Sequence, residues 1–69
     1  MVTKEQLEFC NFNQINGHEF LHDSHDFLFN IKTQELFFTD DGMCEELICK
    51  IKDIEHLKEV IFAWDGTEL

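Results

Sequence analysis

Two apolar runs separated by a short loop constrain this chain more than any other feature. Residues 26–30 and 35–39 are rich in phenylalanine and leucine, and residues 31–34 lie between them. Runs of this length, interrupted by a few turn-forming residues, predict a β-hairpin. With Asn30 opposite Glu35, the alternation of side chains across the two strands places four apolar residues on one face. This predicted core consists of Phe27, Phe29, Leu36 and Phe38.

The hairpin loop contains residues that are common in tight turns. Asn30 and Thr33 have side chains that bond to nearby backbone groups. Gln34 falls where a left-handed residue is preferred, and that residue is usually glycine or asparagine. Gln34 is therefore the unusual member of the predicted loop.

The segment before the hairpin contains a helix start and several turn formers. Thr3 and Gln6 have the spacing of a capping box, which predicts a short helix over 4–10. Residues 11–17 are rich in asparagine and include a glycine, so we expect the chain to reverse there. Residues 18–22 are a candidate short strand.

The segment after the hairpin is ambiguous. Residues 40–42, an Asp-Asp-Gly sequence, predict a turn. Residues 43–52 fit both a helix and a strand. We favour a strand over 46–52, because Asp53 is a good N-cap for a separate helix and a lone hairpin is marginal in water.

A second helix is predicted over 53–64. Asp53 is its N-cap, and Gly66 stands at the position where helices commonly end. Phe62 lies away from the apolar stripe of this helix. The stripe consists of Ile54, Leu57, Val60, Ile61 and Trp64. The expected fold is α+β: an antiparallel sheet of three to four strands around the 26–39 hairpin, with a helix at each end of the sequence.

Length and charge define the class of protein. A chain of 69 residues forms one small domain, 1–69, near the size at which one core only just balances conformational entropy. Fifteen acidic residues against five lysines, with no arginine, give a formal net charge of -10 at pH 7. Nucleic-acid binding needs clustered Lys or Arg, so we expect no direct contact with nucleic acid. Acidity instead favours a basic partner, and the alternative is that it serves solubility alone.

Cysteine content and hydropathy indicate the compartment. The three cysteines have no regular spacing, and no signal-like apolar run opens the sequence. No apolar run approaches the roughly 18 residues of a membrane-spanning helix. We expect a reduced, cytoplasmic protein that makes no membrane contact.

Metal binding and catalysis have weak signals. The residues of ligand type that lie near one another are His18, His22, His25, Asp23, Asp26 and the more distant Cys10. Their spacing matches no zinc finger, so we interpret the histidines as solvated loop residues and expect no metal. Cys49 is interpreted as a small core residue. No glycine-rich phosphate loop occurs, and the carboxylates are spread over the chain rather than paired in an apolar setting, so we expect neither an enzyme nor a cofactor.

Apolar residues outside the predicted core are the candidate partner-binding residues. Leu28, Phe37 and Ile48 are expected to lie together on the opposite face of the sheet. They are covered either by the first helix, through Leu7 and Cys10, or by a partner or second copy of the chain, since exposed apolar patches mark interaction sites.

The outer side of the last helix supplies a second candidate. Phe62 is expected to be exposed there, beside Glu55, Lys58 and Glu59. It is an exposed aromatic residue independent of the sheet, and together with the acidity of the chain it suggests a binding surface for a basic protein.

The two terminal stretches carry a resemblance. The stretch at 3–12, TKEQLEFCNF, resembles the start of small uncharacterised proteins of prophages and mobile elements in Bacteroidetes-type bacteria. The stretch at 51–69, IKDIEHLKEVIFAWDGTEL, resembles the end of the same proteins. The last helix departs from their pattern at Lys58, Glu59 and Ile61, and Asp65 replaces the threonine that precedes glycine in those proteins. The resemblance implies that a sheet lies between two helices in the sequence and that the protein belongs to a mobile element. It implies no particular activity.

Charge, exposed apolar residues and this resemblance lead to one expected function. It is an acidic protein-interaction module, a phage or mobile-element accessory protein that binds and inhibits a basic host protein that handles nucleic acid, such as a CRISPR effector. A structural or dimerisation module, acidic only for solubility, is the alternative. A small metal-binding protein is the third possibility.

Overall fold

An antiparallel β-meander lies at the centre of the protein. The computed structural model describes residues 1–41 and 43–69. In those residues the chain forms α1 Lys4–Phe9, β1 Phe12–Gln14, β2 Glu19–His22, β3 Phe27–Asn30, β4 Glu35–Thr39, β5 Glu45–Lys50 and α2 Ile54–Asp65. The strands pair in sequence order, β1-β2-β3-β4-β5. The predicted α+β class is confirmed, and the sheet is wider than the three to four strands expected.

The central hairpin has the predicted register. Asn30 pairs with Glu35, and two further pairs, Phe29 with Leu36 and Phe27 with Phe38, place their side chains on one face. Three of the four predicted core residues, all except Phe38, are fully buried. Phe38 is half-buried and packs against the same core.

The reversal expected over 11–17 is wrong in part, because residues 12–14 form β1. Phe12 is buried and lies opposite His22 on β2. Asn11 precedes this strand in a left-handed conformation, with φ 67°, which asparagine tolerates better than most residues. The turn thus closes later than expected, between β1 and β2.

The ambiguity after the hairpin is resolved in favour of a strand, β5. The helix that follows is also confirmed: the Asp53 side chain accepts a hydrogen bond from His56 N–H at 2.9 Å, and Gly66 ends α2 with φ 83°. The turn predicted over 40–42 includes Gly42, which lies outside the described residues.

The main core lies on one face of the sheet, between the sheet and both α1 and α2. Its buried members are Val2, Leu7, Cys10, Phe12, Phe20, Phe27, Phe29, Leu36, Ile51, Leu57 and Ile61. Because Leu7 and Cys10 belong to this core, the expectation that the first helix covers the opposite face is wrong. That face lacks helical cover from the part of the chain that the structure describes.

The stripe of α2 is buried to different depths along the helix. Leu57 and Ile61 are fully buried, and Ile54 and Val60 are half-buried against the core. Trp64 lies at the margin, with its ring 5.5 Å from that of Phe38. The helix therefore docks most closely at its middle.

Candidate protein-binding surfaces

A groove with exposed aromatic side chains lies beside α1 and α2. One depression, of about 270 Å³, is lined by Glu5, Gln6, Phe9, Cys10, Ile54 and Lys58. A second, of about 330 Å³, is lined by Lys58, Glu59, Phe62, Glu68 and Leu69. Lys58 lines both depressions, and we call the two together the helix groove.

Helical spacing explains how the groove is built. Ile54, Lys58 and Phe62 are each four residues apart, so they follow one another along one side of α2. On α1, Leu7 is buried in the core. Phe9 follows two residues later, about 200° further round the helix, and therefore points away from the core. Phe9 is 88% exposed and Phe62 is 55% exposed.

Carboxylates surround these apolar side chains. Glu5 and Glu59 on the helices and Glu68 in the C-terminal segment are all exposed. Lys58 is the basic residue at the junction, and its Nζ lies 3.8 Å from Oε1 of Glu55. This exposed ion pair adds little stability, but it offsets the one positive charge among the groove-lining residues. The helix groove is therefore an acidic surface with an apolar floor.

The thiol in the groove wall is unsuited to chemistry. Cys10 is buried, and desolvation raises the pKa of its thiol, an effect that Lys58 opposes and Glu55 assists. A protonated, inaccessible thiol is a poor nucleophile and a poor metal ligand. Cys10 is thus a packing residue of the groove.

The structure brings three predicted partner-binding residues to this region. Phe62 and Glu59 line the groove, and Glu55 reaches it through its ion pair with Lys58. Phe9 was missed by the sequence reasoning. Its position in a capped helix, two residues after a core leucine, was the signal available.

A second apolar surface lies on the opposite side of the sheet. Its cross-strand neighbours are Leu21, Leu28, Phe37 and Leu47, a row that we call the open sheet face. Leu28 is only 5% exposed although it is not part of the main core. Leu21 and Phe37 on either side of it are half-buried, and Leu47 at the end of the row is 53% exposed.

The predicted membership of this surface needs one correction. Leu36 pairs with Cys49, but the next residue, Phe37, pairs with Leu47, so Ile48 is the extra residue of a β-bulge. Ile48 packs against the main core. Leu28 and Phe37 lie on the open sheet face as predicted, whereas Leu47 takes the place that was assigned to Ile48.

Charges of both signs border the open sheet face. The neighbouring row across the sheet runs through Glu19, Asn30, Glu35 and Lys50. Lys50 lies directly opposite Glu35, and such cross-strand pairs attract. This border is therefore more balanced in charge than that of the helix groove.

In the described residues, the histidines and cysteines are not arranged as a metal centre. The interpretation of the histidines as solvated loop residues is wrong for His22, which ends β2 and is buried. Its Nδ1 lies 2.9 Å from the Ser24 hydroxyl, and its ring centroid lies 5.1 Å from that of Phe12. His25 instead lies 3.3 Å from Asp41. Within residues 1–41 and 43–69, no group of three or more His, Cys, Asp or Glu side chains is arranged to hold a metal ion.

Comparisons with protein-family models, curated proteins and solved structures find no significant match. The mobile-element resemblance of the two terminal stretches therefore stays a prediction. None of the helices in the described part of the chain has the length and hydropathy needed to cross a membrane.

Proposed function

We propose that this chain is an acidic protein-interaction module that binds a basic partner protein. The observation that carries the proposal is the helix groove, where Phe9 and Phe62 stand exposed among carboxylates. Aromatic side chains that become buried against a partner supply much of the lifetime of a complex, while charges around them steer encounter. The groove combines both elements in one place.

The kind of partner follows from the charge of the whole chain. A chain with a net charge of -10 and no arginine is poorly suited to binding nucleic acid. It is well suited to binding a basic protein surface that itself binds nucleic acid. We therefore propose that the partner is a basic, nucleic-acid-handling host protein, of which a CRISPR effector is an example. In that role the module is a phage or mobile-element accessory protein that inhibits by occupying the basic surface. The resemblance of residues 3–12 and 51–69 to mobile-element proteins supports this setting.

The open sheet face supports a second candidate, a dimerisation module. Leu47 is exposed beside Phe37, and a second copy stacked on this face is one way to cover them. Two copies would each bring a net charge of -10, which disfavours association at low ionic strength. Sedimentation at increasing salt tests this candidate, because a dimer of acidic chains gains stability as salt screens the repulsion.

Affinity capture followed by binding kinetics tests the first proposal. The tagged protein should recover from a bacterial host a partner rich in Lys and Arg. Raising the salt from low to physiological ionic strength should slow association several-fold, and nucleic acid should compete with the module for the partner. A neutral or acidic partner, or binding that is indifferent to both salt and nucleic acid, refutes the proposal.

A further inference from the structure

We infer that the helix groove receives one basic amphipathic helix of the partner, with an apolar anchor in each depression. This inference rests on the proposed function and adds the form of the bound segment. Three features of the groove carry it: the spacing of its apolar walls, the state of its backbone groups and the charge of its rim.

The spacing of the walls matches a helical repeat. Ile54 lines one depression and Phe62 the other, eight residues apart on α2. At 1.5 Å per residue this separation is about 12 Å along the helix axis. Apolar residues at i and i+7 of a bound helix are about 10.5 Å apart and face the same side. Two such anchors therefore reach both depressions, passing Lys58 between them.

The backbone of the groove favours a helix over an extended peptide. A peptide that adds to a protein as a strand gains its affinity from main-chain hydrogen bonds to a sheet edge. The lining residues lie on α1, on α2 and in the C-terminal residues 68 and 69, and none of them belongs to a strand, whereas the sheet edges are at β1 and β5. A bound helix satisfies its own main-chain groups and needs only side-chain contacts.

The rim selects the charge of the bound helix. Glu5 borders the first depression, and Glu59 and Glu68 border the second. Lys58 is already paired with Glu55. Lysine or arginine residues flanking the two anchors would face these carboxylates, whereas a second copy of this acidic chain would bring like charges against them.

A synthetic peptide provides a direct probe. It is a fluorescently labelled, lysine-rich helix with leucines at i and i+7, and its matched control has the same composition with the leucines on opposite sides. The first peptide should bind about tenfold more tightly than the control by fluorescence anisotropy, since one well-placed anchor contributes this much. Equal affinity of the two peptides overturns the inference.

Substitutions on the protein locate the binding site. Phe9→Ala and Phe62→Ala should each weaken peptide binding about tenfold. Leu47→Ala is the matched control, because Leu47 is 53% exposed, close to the 55% of Phe62, but lies on the open sheet face. All three side chains are exposed, so circular dichroism should report an intact fold for each variant.

The outcomes separate this inference from the proposed function. If the captured partner is basic and its binding depends on salt, but Phe9→Ala and Phe62→Ala leave its dissociation rate unchanged, the helix groove is not the site and the broader function stands. If Leu47→Ala weakens binding instead, the open sheet face is the site. If the partner is not basic, both proposals fail together.

Discussion

The side-chain amide of Gln34 pairs with the main chain of Val2 as a neighbouring strand would. Its Oε1 accepts a hydrogen bond from Val2 N–H at 2.7 Å, and its Nε2 donates to Val2 C=O at 3.1 Å. The same Nε2 donates to the carbonyl of Ile31 at 2.8 Å. Gln34 adopts φ 61°, an uncommon conformation for glutamine. These bonds hold it there and keep Val2 in the core.

The first prediction concerns this clamp. Gln34→Ala should lower the free energy of unfolding by roughly 2–4 kcal/mol, because it removes three hydrogen bonds and leaves the buried N–H of Val2 without a partner. Urea unfolding measures the change. Thr33→Ala, an exposed neighbour in the same loop, should change stability by no more than about 0.5 kcal/mol.

A glycine variant separates the clamp from the backbone conformation. Gln34→Gly relieves any strain of the positive φ but also removes the side chain. It should therefore remain clearly destabilised. Wild-type stability in Gln34→Gly would mean that the left-handed backbone, rather than the pairing with Val2, is what matters at this position.

The second prediction concerns the hairpin. Phe29→Ala should destabilise by roughly 3–5 kcal/mol, since Phe29 is fully buried at the centre of the sheet, and this loss is enough to unfold a domain of this size. Lys32→Ala, in the exposed loop, should have little effect. Thermal unfolding followed by circular dichroism checks both variants, and equal losses would contradict the register.

The third prediction concerns pH. Burial lowers the pKa of His22 below its ordinary value of 6.5, against the opposing effect of Asp23, Asp65 and Asp26. The unfolded chain therefore takes up this proton at a higher pH than the folded chain. The stability contributed by the neutral ring is present above the ordinary pKa and is lost as pH falls towards the folded-state pKa.

Urea midpoints between about pH 8 and about pH 5.5 test this prediction, in a window above most carboxylate titration. The midpoint should fall towards the acidic end. His22→Phe keeps an aromatic ring beside Phe12 and Phe27 but cannot titrate, so its profile should be flatter. If both proteins show the same slope, another group causes the pH dependence.

Local signals explain why much of the fold was predictable. The hairpin register follows from alternation within two adjacent runs and a loop of fixed length. The helix ends follow from single capping residues, and both the Thr3 capping box and the Asp53 N-cap are present. Each of these signals lies within a few residues of the structure it specifies.

The features that were missed depend on distant parts of the chain. Residues 12–14 form β1 because Phe12 pairs with His22 on β2 and packs in the core. The asparagine-rich sequence around them favours turns. The left-handed conformation of Gln34 was expected from its place in the loop and is confirmed, but its pairing with Val2, 32 residues away in sequence, was not expected. Neither relationship is visible in a local pattern.

The candidate site divides in the same way. Phe62 was predictable as exposed, because it falls off the stripe of a long helix. The proximity of Phe9 to Ile54 and Lys58 was not, since it depends on how α1 docks beside α2. The helix groove is a product of tertiary packing, and its parts carry no joint signature in the sequence.

The last prediction concerns the bulge in β5, where simple alternation fails. Ile48 packs against the main core, whereas Leu47 lies on the open sheet face and is 53% exposed. Ile48→Ala should therefore cost roughly 1–2 kcal/mol, a fraction of the loss at a fully buried site. Leu47→Ala should stay within about 0.5 kcal/mol of the wild type. Urea unfolding of both variants under one condition measures the difference. If Leu47→Ala lost more stability than Ile48→Ala, the bulge would be misplaced, and Ile48 rather than Leu47 would lie beside Phe37 on the open sheet face.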